Sequence, residues 1–374
     1  MIDNPFILEP YLSQEYFCDR QAETEQIITL LESGSDITLI SPRRLGKTGL
    51  ILHVFDCLAK AGRGYKMLYA DISASSSIDD FISIISGAVV SALSTRQKIS
   101  RFFSHLSAVR PLVSYDPITG APQVSFFYSS EEEKKTTLKQ FFDYLENCGQ
   151  TVIFAIDEFQ QIREYEDVNM EAVLRSHIQH LHNVRFIFCG SKKHIMADMF
   201  SNAKRPFYES TSTVPLLKLS RDVYAAFIDN LFAVRGKRVD PEALDFILDW
   251  TRVHTFYTQK LCNRVYAFSG RSVTLTDVRK AASDILASNL YNFLEIKRLV
   301  TPSQWKVLRA IAKEGEVCHP TSSYFTQKYK IQGPSVLRAL DSLVDKELVL
   351  SEVSEDGVTY YVYNVFFSRY LETL

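Results

Sequence analysis

The stretch LISPRRLGKTGLIL, residues 39–52, begins and ends with apolar residues and carries two arginines, a glycine and a lysine between them. Its start completes the apolar run Asp36 to Ile40, which predicts a short buried strand. Ser41 to Gly46 are expected to form a loop, with a helix from Lys47 onward. The sequence therefore predicts a strand, a tight loop and a helix in direct succession.

Residues 41–48 fit the spacing GxxxxGK[ST], except that Ser41 stands at the position of the first glycine. In such a loop, successive backbone N–H groups surround a phosphate at the positive end of a helix. Lys47 is expected to bind the phosphate oxygens, and the Thr48 hydroxyl to ligate Mg²⁺. A serine at the first position carries a cost if the backbone there needs a left-handed angle. The residues expected to surround the phosphates are Ser41, Pro42, Arg43, Arg44, Leu45, Gly46, Lys47, Thr48 and Gly49.

A second motif, TVIFAIDEFQ at residues 151–160, is an apolar strand that ends in two carboxylates. In nucleotide hydrolysis the first carboxylate of such a pair holds Mg²⁺ and the second polarises the attacking water. We expect these roles for Asp157 and Glu158, respectively. One strand later, RFIFCGSKK places Ser191 where its hydroxyl is expected to contact the terminal phosphate; the alternative is a helix cap.

Short apolar runs rich in β-branched and aromatic residues alternate with helical stretches in the first half of the chain. Their continuous apolar centres are typical of parallel strands that are covered on both faces. This order predicts an open α/β sheet, with an inserted hairpin near residues 110–128. The predicted strands of the sheet are Asp36 to Ile40, Lys66 to Ile72, Thr151 to Ile156, Val184 to Cys189 and Val214 to Leu219.

Amphipathic helices replace the strand pattern in the second half, including one expected from Val273 to about Val300. From Thr301 the pattern is three helices and a hairpin turned at Glu355-Asp356-Gly357, which predicts a winged helix-turn-helix. Residues 359–367 are then expected to be an aromatic wing or a terminal strand. The predicted domains are an α/β domain at 1–219, a helical lid at 220–300 and a winged helix at 301–374.

The composition limits the partners of the chain. Of its 374 residues, 46% are hydrophobic, which is enough for two or three domains. The net charge of -2 provides no global basic surface for nucleic acid or an anionic membrane. The six cysteines have no CxxC pair and no metal-like spacing, and no apolar run is long enough to cross a membrane. We therefore expect a cytoplasmic protein with no membrane partner.

Four segments together resemble the archaeal-type ATPase family within the AAA+/STAND group of P-loop NTPases. They are YFCDRQAE (16–23), PRRLGKT (42–48), IDEFQ (156–160) and CGS (189–191), and the resemblance spans essentially the whole chain. It implies a P-loop sheet of the AAA+/ASCE type, followed by a helical lid and a winged helix. It also implies that the cofactors are ATP and Mg²⁺.

The resemblance adds three residues to the site. Arg20 lies in the segment that is expected to pack near the adenine, next to Asp19 at the family's glycine position. Arg205, in KRPFY, is expected to reach the γ-phosphate of its own or a neighbour's nucleotide; the alternative is a solvated surface arginine. His254, in a segment where Val253 replaces the family's glycine, is expected to sense nucleotide, or else to serve in the core or as a cap.

Three functions are open at this point. The first is a slow ATPase that acts as a nucleotide-controlled switch, with a protein partner or with copies of itself. The second is a nucleotide-regulated DNA-binding protein, although residues 301–374 hold eight basic side chains against nine acidic ones. The third, a phosphotransferase, is disfavoured because Asp157-Glu158 suits water as the acceptor and no acceptor-binding motif is present.

Overall fold

The computed structural model describes residues 4–9, 11–107, 109–117, 120–166, 168–354 and 357–374. The chain divides into two units. Residues Glu9–Leu217 form the α/β unit, and Lys218–Leu374 with the first eight residues form the helical unit. The domain limits at 219 and 300 remain predictions.

The described part of the α/β unit contains seven strands and seven helices. The strands are β1 (Ile37–Ile40), β2 (Lys66–Asp71), β3 (Pro111–Tyr115), β4 (Pro122–Phe126), β5 (Val152–Asp157), β6 (Val184–Gly190) and β7 (Ser212–Pro215). The helices are α1 (Gln21–Glu32), α2 (Lys47–Lys60), α3 (Ile78–Ala92), α4 (Arg96–His105), α5 (Glu131–Glu146), α6 (Met170–Ile178) and α7 (Lys193–Ser201), with short 3₁₀ turns at Gln14–Tyr16 and Phe159–Glu164.

The main sheet has the strand order β2-β5-β6-β1-β7, and all its neighbouring strands are parallel. Every residue of β5 is buried, because apolar clusters cover the sheet on both faces. Phe154 belongs to one cluster and Ile153 to the other. The α/β fold with a parallel sheet is therefore confirmed.

The edge strand β7 begins and ends earlier than predicted. It covers Ser212–Pro215 rather than Val214 to Leu219. Pairing with β1 stops after the Leu216 N–H donates to the Ile40 carbonyl. The next residue, Leu217, is largely exposed and its carbonyl accepts a hydrogen bond from Arg20, so the chain has left the sheet. Each bound of the other four predicted sheet strands lies within one residue of the observed bound.

Strands β3 and β4 form a separate antiparallel hairpin within the region 110–128. Val124 of this hairpin is buried and belongs to the same apolar cluster as the side chains of α3. Gly87 of α3 lies so close to the hairpin that a Cβ there would be 3.3 Å from the Pro122 carbonyl oxygen. Residues 118–119, near the tip, lie outside the described part of the chain.

The helical unit consists of nine described helices and two short strand pairs. The helices are α8 (Arg221–Ala233), α9 (Pro241–Trp250), α10 (Thr255–Phe268), α11 (Leu275–Ser288), α12 (Leu290–Arg298), α13 (Pro302–Glu314), α14 (Ser323–Tyr329), α15 (Gly333–Asp345) and α16 (Val365–Glu372). The strands are β8 (Arg238–Val239), β9 (Ser272–Val273), β10 (Val349–Ser354) and β11 (Gly357–Val362). None of the described helices is long and apolar enough to cross a membrane.

Two predictions for the helical unit were wrong. The single helix expected from Val273 to about Val300 is two helices, because the Asn289 side chain binds the Ile285 carbonyl at 2.7 Å and α12 restarts at the next residue. Residues 359–367 are not one strand: β11 ends at Val362, and the Asn364 side chain then caps α16 by accepting the Phe367 N–H. The expected turn residues 355–356 lie outside the described part of the chain.

The carboxyl group of Asp36, the residue directly before β1, makes the stability of the fold depend on pH. Asp36 accepts the Phe186 N–H at 2.8 Å, and burial raises the pKa of its carboxyl to about 6. Between about pH 4 and 6 the folded state keeps a proton that the unfolded state has lost, so stability falls as the pH rises through this window. We expect Asp36→Asn, which keeps the acceptor oxygen, to stabilise the sheet at pH 7 by about 1–2 kcal/mol.

Hydrogen exchange at the amides of β1 and β6 measures this effect, with variant and wild type compared at the same pH. The gain in protection is expected at pH 7. It should shrink at pH 4, where Asp36 in the folded wild type is protonated and therefore neutral, like the asparagine of the variant. An equal gain at the two pH values would show that charge on Asp36 is not its cause.

Candidate phosphate-binding site

In the loop between β1 and α2, the left-handed backbone angles lie in the second half of the loop and not at its first residue. Ser41 is buried and keeps a negative φ, and its hydroxyl donates to the Pro42 carbonyl at 3.0 Å. The left-handed angles fall at Arg44, with φ 68°, and at Gly46, with φ 102°. Gly46 is the residue directly before α2, and its left-handed angle favours glycine there. The serine in place of the first glycine therefore imposes no left-handed strain.

The lysine and threonine of the loop begin the first turn of α2. Lys47 is only 6% exposed, and its Nζ donates to the Ser41 carbonyl at 3.2 Å, so the ammonium group lies within the loop. Thr48 Oγ1 donates to Asp157 Oδ2 at 2.9 Å. The start of α2 thus meets the end of β5, although β6 separates β5 from β1 in the sheet.

Asp157 is buried and fully engaged. Its Oδ2 also accepts the Tyr69 hydroxyl at 2.9 Å, and its Oδ1 accepts the Glu158 N–H at 2.9 Å. Burial, and then the Asp157 charge, raise the pKa of Tyr69, so the phenol stays protonated and donates. The sequence analysis did not identify Tyr69, because its contact depends on β2 pairing beside β5.

Glu158 is held in a row of hydrogen bonds. It adopts a left-handed backbone, with φ 55°, and its Oε2 accepts the Ser191 hydroxyl at 2.7 Å and the Gln160 amide. Arg43 Nε donates to Ser191 Oγ at 3.2 Å, so the phosphate loop and the end of β6 are linked. Gln160 is a second residue that sequence reasoning missed.

Gly190 makes this row possible. A Cβ at Gly190 would overlap the Gln160 amide oxygen and the Met196 side chain, so no larger residue fits without displacing them. The glycine of the CGS segment is therefore explained by the close approach of Gln160. The Gln160 amide, in turn, orients the Glu158 carboxylate.

The remaining loop residues differ in exposure. Pro42, Leu45 and Gly49 are buried, whereas the side chains of Arg43 and Arg44 extend from an exposed surface. One side of the loop is therefore packed against the protein, and its two arginines lie at the surface. Together with Lys47, these arginines are the basic residues of the loop.

Arg20 has a structural role in the α/β unit. It is buried, and it donates to Glu23 Oε1 and to the Leu217 carbonyl, each at 2.7 Å. Asp19 and Arg20 both have a positive φ, which accounts for the glycine that the resemblance leads us to expect at Asp19. Next to this segment, the Phe17 ring stacks on the His53 ring with centroids 4.5 Å apart.

Arg205 is paired within its own unit. It binds Asp198 Oδ2 at 2.6 Å and approaches Glu171 Oε1 at 3.4 Å, and Arg163 contacts the same two carboxylates. Arg205 is therefore not a freely solvated arginine, because its side chain is only 30% exposed and is paired with two carboxylates. The pairs would have to break before Arg205 reached any phosphate.

His254 lies in the helical unit, at the residue that precedes α10. Its side chain is buried, and its ring centroid is 4.7 Å from that of Tyr257. The two preceding residues have positive φ values, 54° at Arg252 and 52° at Val253. A β-branched residue is unfavourable in this conformation, which explains why the resemblance places glycine at position 253.

Comparison with known proteins supports the fold. A family model described as "Probable winged helix domain" matches residues 291–373. A Walker-type ATPase of Pyrococcus abyssi is 18% identical, with 98% of this chain and 99% of that chain covered and a TM-score of 0.67. The Aeropyrum pernix ORC2 protein in ADPNP–ADP complexes is 16% identical, with 99% and 96% covered and a TM-score of 0.63.

The Aeropyrum pernix ORC1 protein in complex with DNA is 13% identical, with 99% and 96% covered and a TM-score of 0.52. No curated protein matched the sequence. The resemblance to archaeal ATPases of the AAA+ group is thus confirmed at the level of the fold, as is the winged helix at the carboxyl end.

Proposed function

We propose that this chain, which has the fold of AAA+ ATPases and a C-terminal winged helix, binds ATP with Mg²⁺ and hydrolyses it slowly as a nucleotide-controlled switch. The observation that carries the proposal is the 2.9 Å hydrogen bond between Thr48 and Asp157, next to an ammonium group held inside the loop. There, side chains from two motifs that are distant in the sequence come together, as nucleotide hydrolysis requires.

The donor set fits magnesium. The Thr48 hydroxyl and the Asp157 carboxylate are oxygen ligands of the kind that Mg²⁺ prefers. They lie next to each other and would hold the ion. When bound, the ion would neutralise charge on the phosphates and so stabilise the leaving group. The Tyr69 hydroxyl holds the Asp157 carboxylate in position from the neighbouring strand β2.

The side chains of the loop supply the remaining steps. Lys47 exchanges the Ser41 carbonyl for phosphate oxygens, and the backbone N–H groups at the start of α2 face the same anion. Glu158 accepts a proton from the attacking water, and its orientation depends on Ser191 and Gln160.

The proposal assigns the other residues as follows. The Phe17 ring and Arg20 lie in the segment proposed to pack near the adenine, with Arg20 holding it to the Leu217 carbonyl. Arg205 acts on the γ-phosphate of its own or a neighbour's nucleotide after it leaves Asp198. His254 is proposed as a nucleotide-sensing residue of the helical unit. A protein partner, or a second copy of this chain, reads the state of the switch.

Replacing Thr48 tests the magnesium site. Thr48→Val has the same shape without the hydroxyl, so we expect kcat/KM for ATP to fall about 10- to 100-fold. The gain in ATP affinity that Mg²⁺ provides over EDTA should fall with it. Thr48→Ser, which restores the hydroxyl, is the control and should recover most of the activity. Loss in Thr48→Ser as deep as in Thr48→Val would mean that packing, and not the hydroxyl, is what matters.

DNA binding by the winged helix is the second candidate, because the solved ORC1 structure it resembles was determined with DNA. In the winged helix of this chain, the helix before the hairpin is α15, which is our candidate for the recognition helix. It exposes Arg338 but also Asp341 and Asp345. Ser342 accepts the Gln304 amide and so is turned inward. These mixed charges favour protein contact. Salt-sensitive binding to duplex that Arg338→Ala abolishes would favour DNA instead.

A further inference from the structure

A second cleft lies in the α/β unit, at the edge of the sheet opposite to the phosphate loop. It has a volume of about 440 Å³ and is bounded by the start of β2, the ends of α3 and α5, and one face of α4. Lys66 begins β2, whereas Asp71 ends it beside Asp157. At about 3.3 Å per residue, some 16 Å of strand separate the two edges. We call this second site the basic cleft.

The basic cleft is positively charged. Lys66, Lys98 and Arg101 line it together with His105, and none of its twelve described lining residues is a carboxylate. Within the described part of the chain, no ion pair neutralises the two lysines or the arginine. Elsewhere in the α/β unit, basic side chains such as Lys134 and Arg205 are paired with carboxylates.

The spacing of these charges is unfavourable without a ligand. Lys98, Arg101 and His105 follow each other at three and four residues along α4, so they share one face of the helix. The like charges of Lys98 and Arg101, three residues apart, destabilise the helix. Burial lowers the pKa of Lys66; the nearby Cys148 raises it in part, and Lys98 lowers it. An anion in the cleft would oppose the effect of burial and offset the repulsion between the basic side chains.

The walls of the cleft add an aromatic surface and a thiol. Tyr144 is buried, with Lys66 Nζ 5.4 Å from its ring centroid and the His105 ring 5.5 Å away. Cys148 also lines the cleft, and its thiol donates to the Gln150 carbonyl at 3.4 Å. A half-enclosed volume with a few convergent polar groups on an apolar wall is typical of small-molecule sites.

We propose that the basic cleft binds a small phosphorylated molecule, through Lys66 at its base and Lys98 with Arg101 at its rim. The planar guanidinium of Arg101 matches two phosphate oxygens, and the ammonium groups supply point charges. The inference is independent of the proposed ATPase, because the two sites lie at opposite ends of the strands. It provides the α/β unit with a second place at which a ligand acts.

Protection of Cys148 from alkylation tests the proposal in the full-length protein. Iodoacetamide labelling is followed by mass spectrometry, with inorganic pyrophosphate as the probe and the exposed Cys318 as an internal reference. Pyrophosphate at ten times its dissociation constant should slow labelling of Cys148 about tenfold and leave Cys318 unchanged. Lys47→Ala, which disables the phosphate loop, should keep this protection.

Variants of α4 complete the test. In the double variant Lys98→Ala, Arg101→Ala the protection should be lost, whereas Arg96→Ala, an exposed basic residue of the same helix outside the cleft, should keep it. Calorimetric titration of Lys47→Ala with pyrophosphate gives the same comparison without using the thiol. The proposal is overturned if pyrophosphate up to about 10 mM neither protects Cys148 nor binds Lys47→Ala. Stronger protection by a single-stranded oligonucleotide at equal phosphate concentration would also overturn it.

Discussion

Glu158→Gln is expected to lower the rate of ATP turnover by about 100- to 1,000-fold while it leaves ATP affinity within about threefold of wild type. The amide cannot accept a proton from water, but its carbonyl oxygen can still accept the Ser191 hydroxyl. It also keeps the side-chain volume and demands no more of the left-handed backbone than glutamate does. Phosphate release under single-turnover conditions and equilibrium binding of ATP, measured in parallel, separate the two effects.

Glu209→Gln is a matched control for this variant. Glu209 also has a positive φ, 48°, but it is exposed and outside the candidate site. The same chemical change should therefore leave turnover at the wild-type rate. If Glu158→Gln keeps the wild-type rate, Glu158 is not the base. If phosphate appears on an acceptor other than water, the chain is a phosphotransferase.

Lys47→Ala is expected to weaken ATP binding by about 100-fold or more, which corresponds to roughly 3 kcal/mol. The ammonium group is already buried inside the loop, so its charge acts on the phosphates from a site with little water. Fluorescence titration with a labelled ATP analogue measures the loss, and circular dichroism verifies that the fold is kept. Lys47→Arg should recover only part of the affinity, because the larger guanidinium does not fit the space that Nζ occupies.

Lys60→Ala is the control for this second prediction. It lies at the other end of the same helix, where it is exposed and pairs with Asp56. Its loss should leave ATP affinity unchanged. Equal weakening in Lys47→Ala and Lys60→Ala would point to a general loss of charge on α2, and unaltered affinity in Lys47→Ala would remove the phosphate loop from the proposal.

Much of the α/β fold follows from local sequence patterns. Four strands of the sheet lie where the apolar runs predicted them, since a strand that is buried on both faces needs a continuous apolar run. The fifth, β7, is displaced because its apolar run continues past the last residue that pairs with β1. The prediction for residues 359–367 was wrong for a similar reason, since the aromatic run continues past the end of β11 at Val362 into α16, which Asn364 caps.

In the candidate site, too, the residues that belong to local motifs were predicted from the sequence. The spacing of Lys47 and Thr48 within one loop is local, so the sequence alone placed both at the start of α2. The carboxylates at the end of β5 were identified in the same way, and the structure puts Asp157 2.9 Å from Thr48. The chemical roles of these residues remain predictions, which the two variants above are designed to test.

The sequence by itself determined the order of strands and helices, the loop that can hold a phosphate and the pair of acidic residues, because each depends on neighbours within about ten positions. Only the tertiary structure decided which side chains orient that pair. Tyr69 and Ser191 reach Asp157 and Glu158 from the two strands that pair with β5. Contacts of this kind depend on which strands pair and in which register, and no short stretch of sequence carries that information.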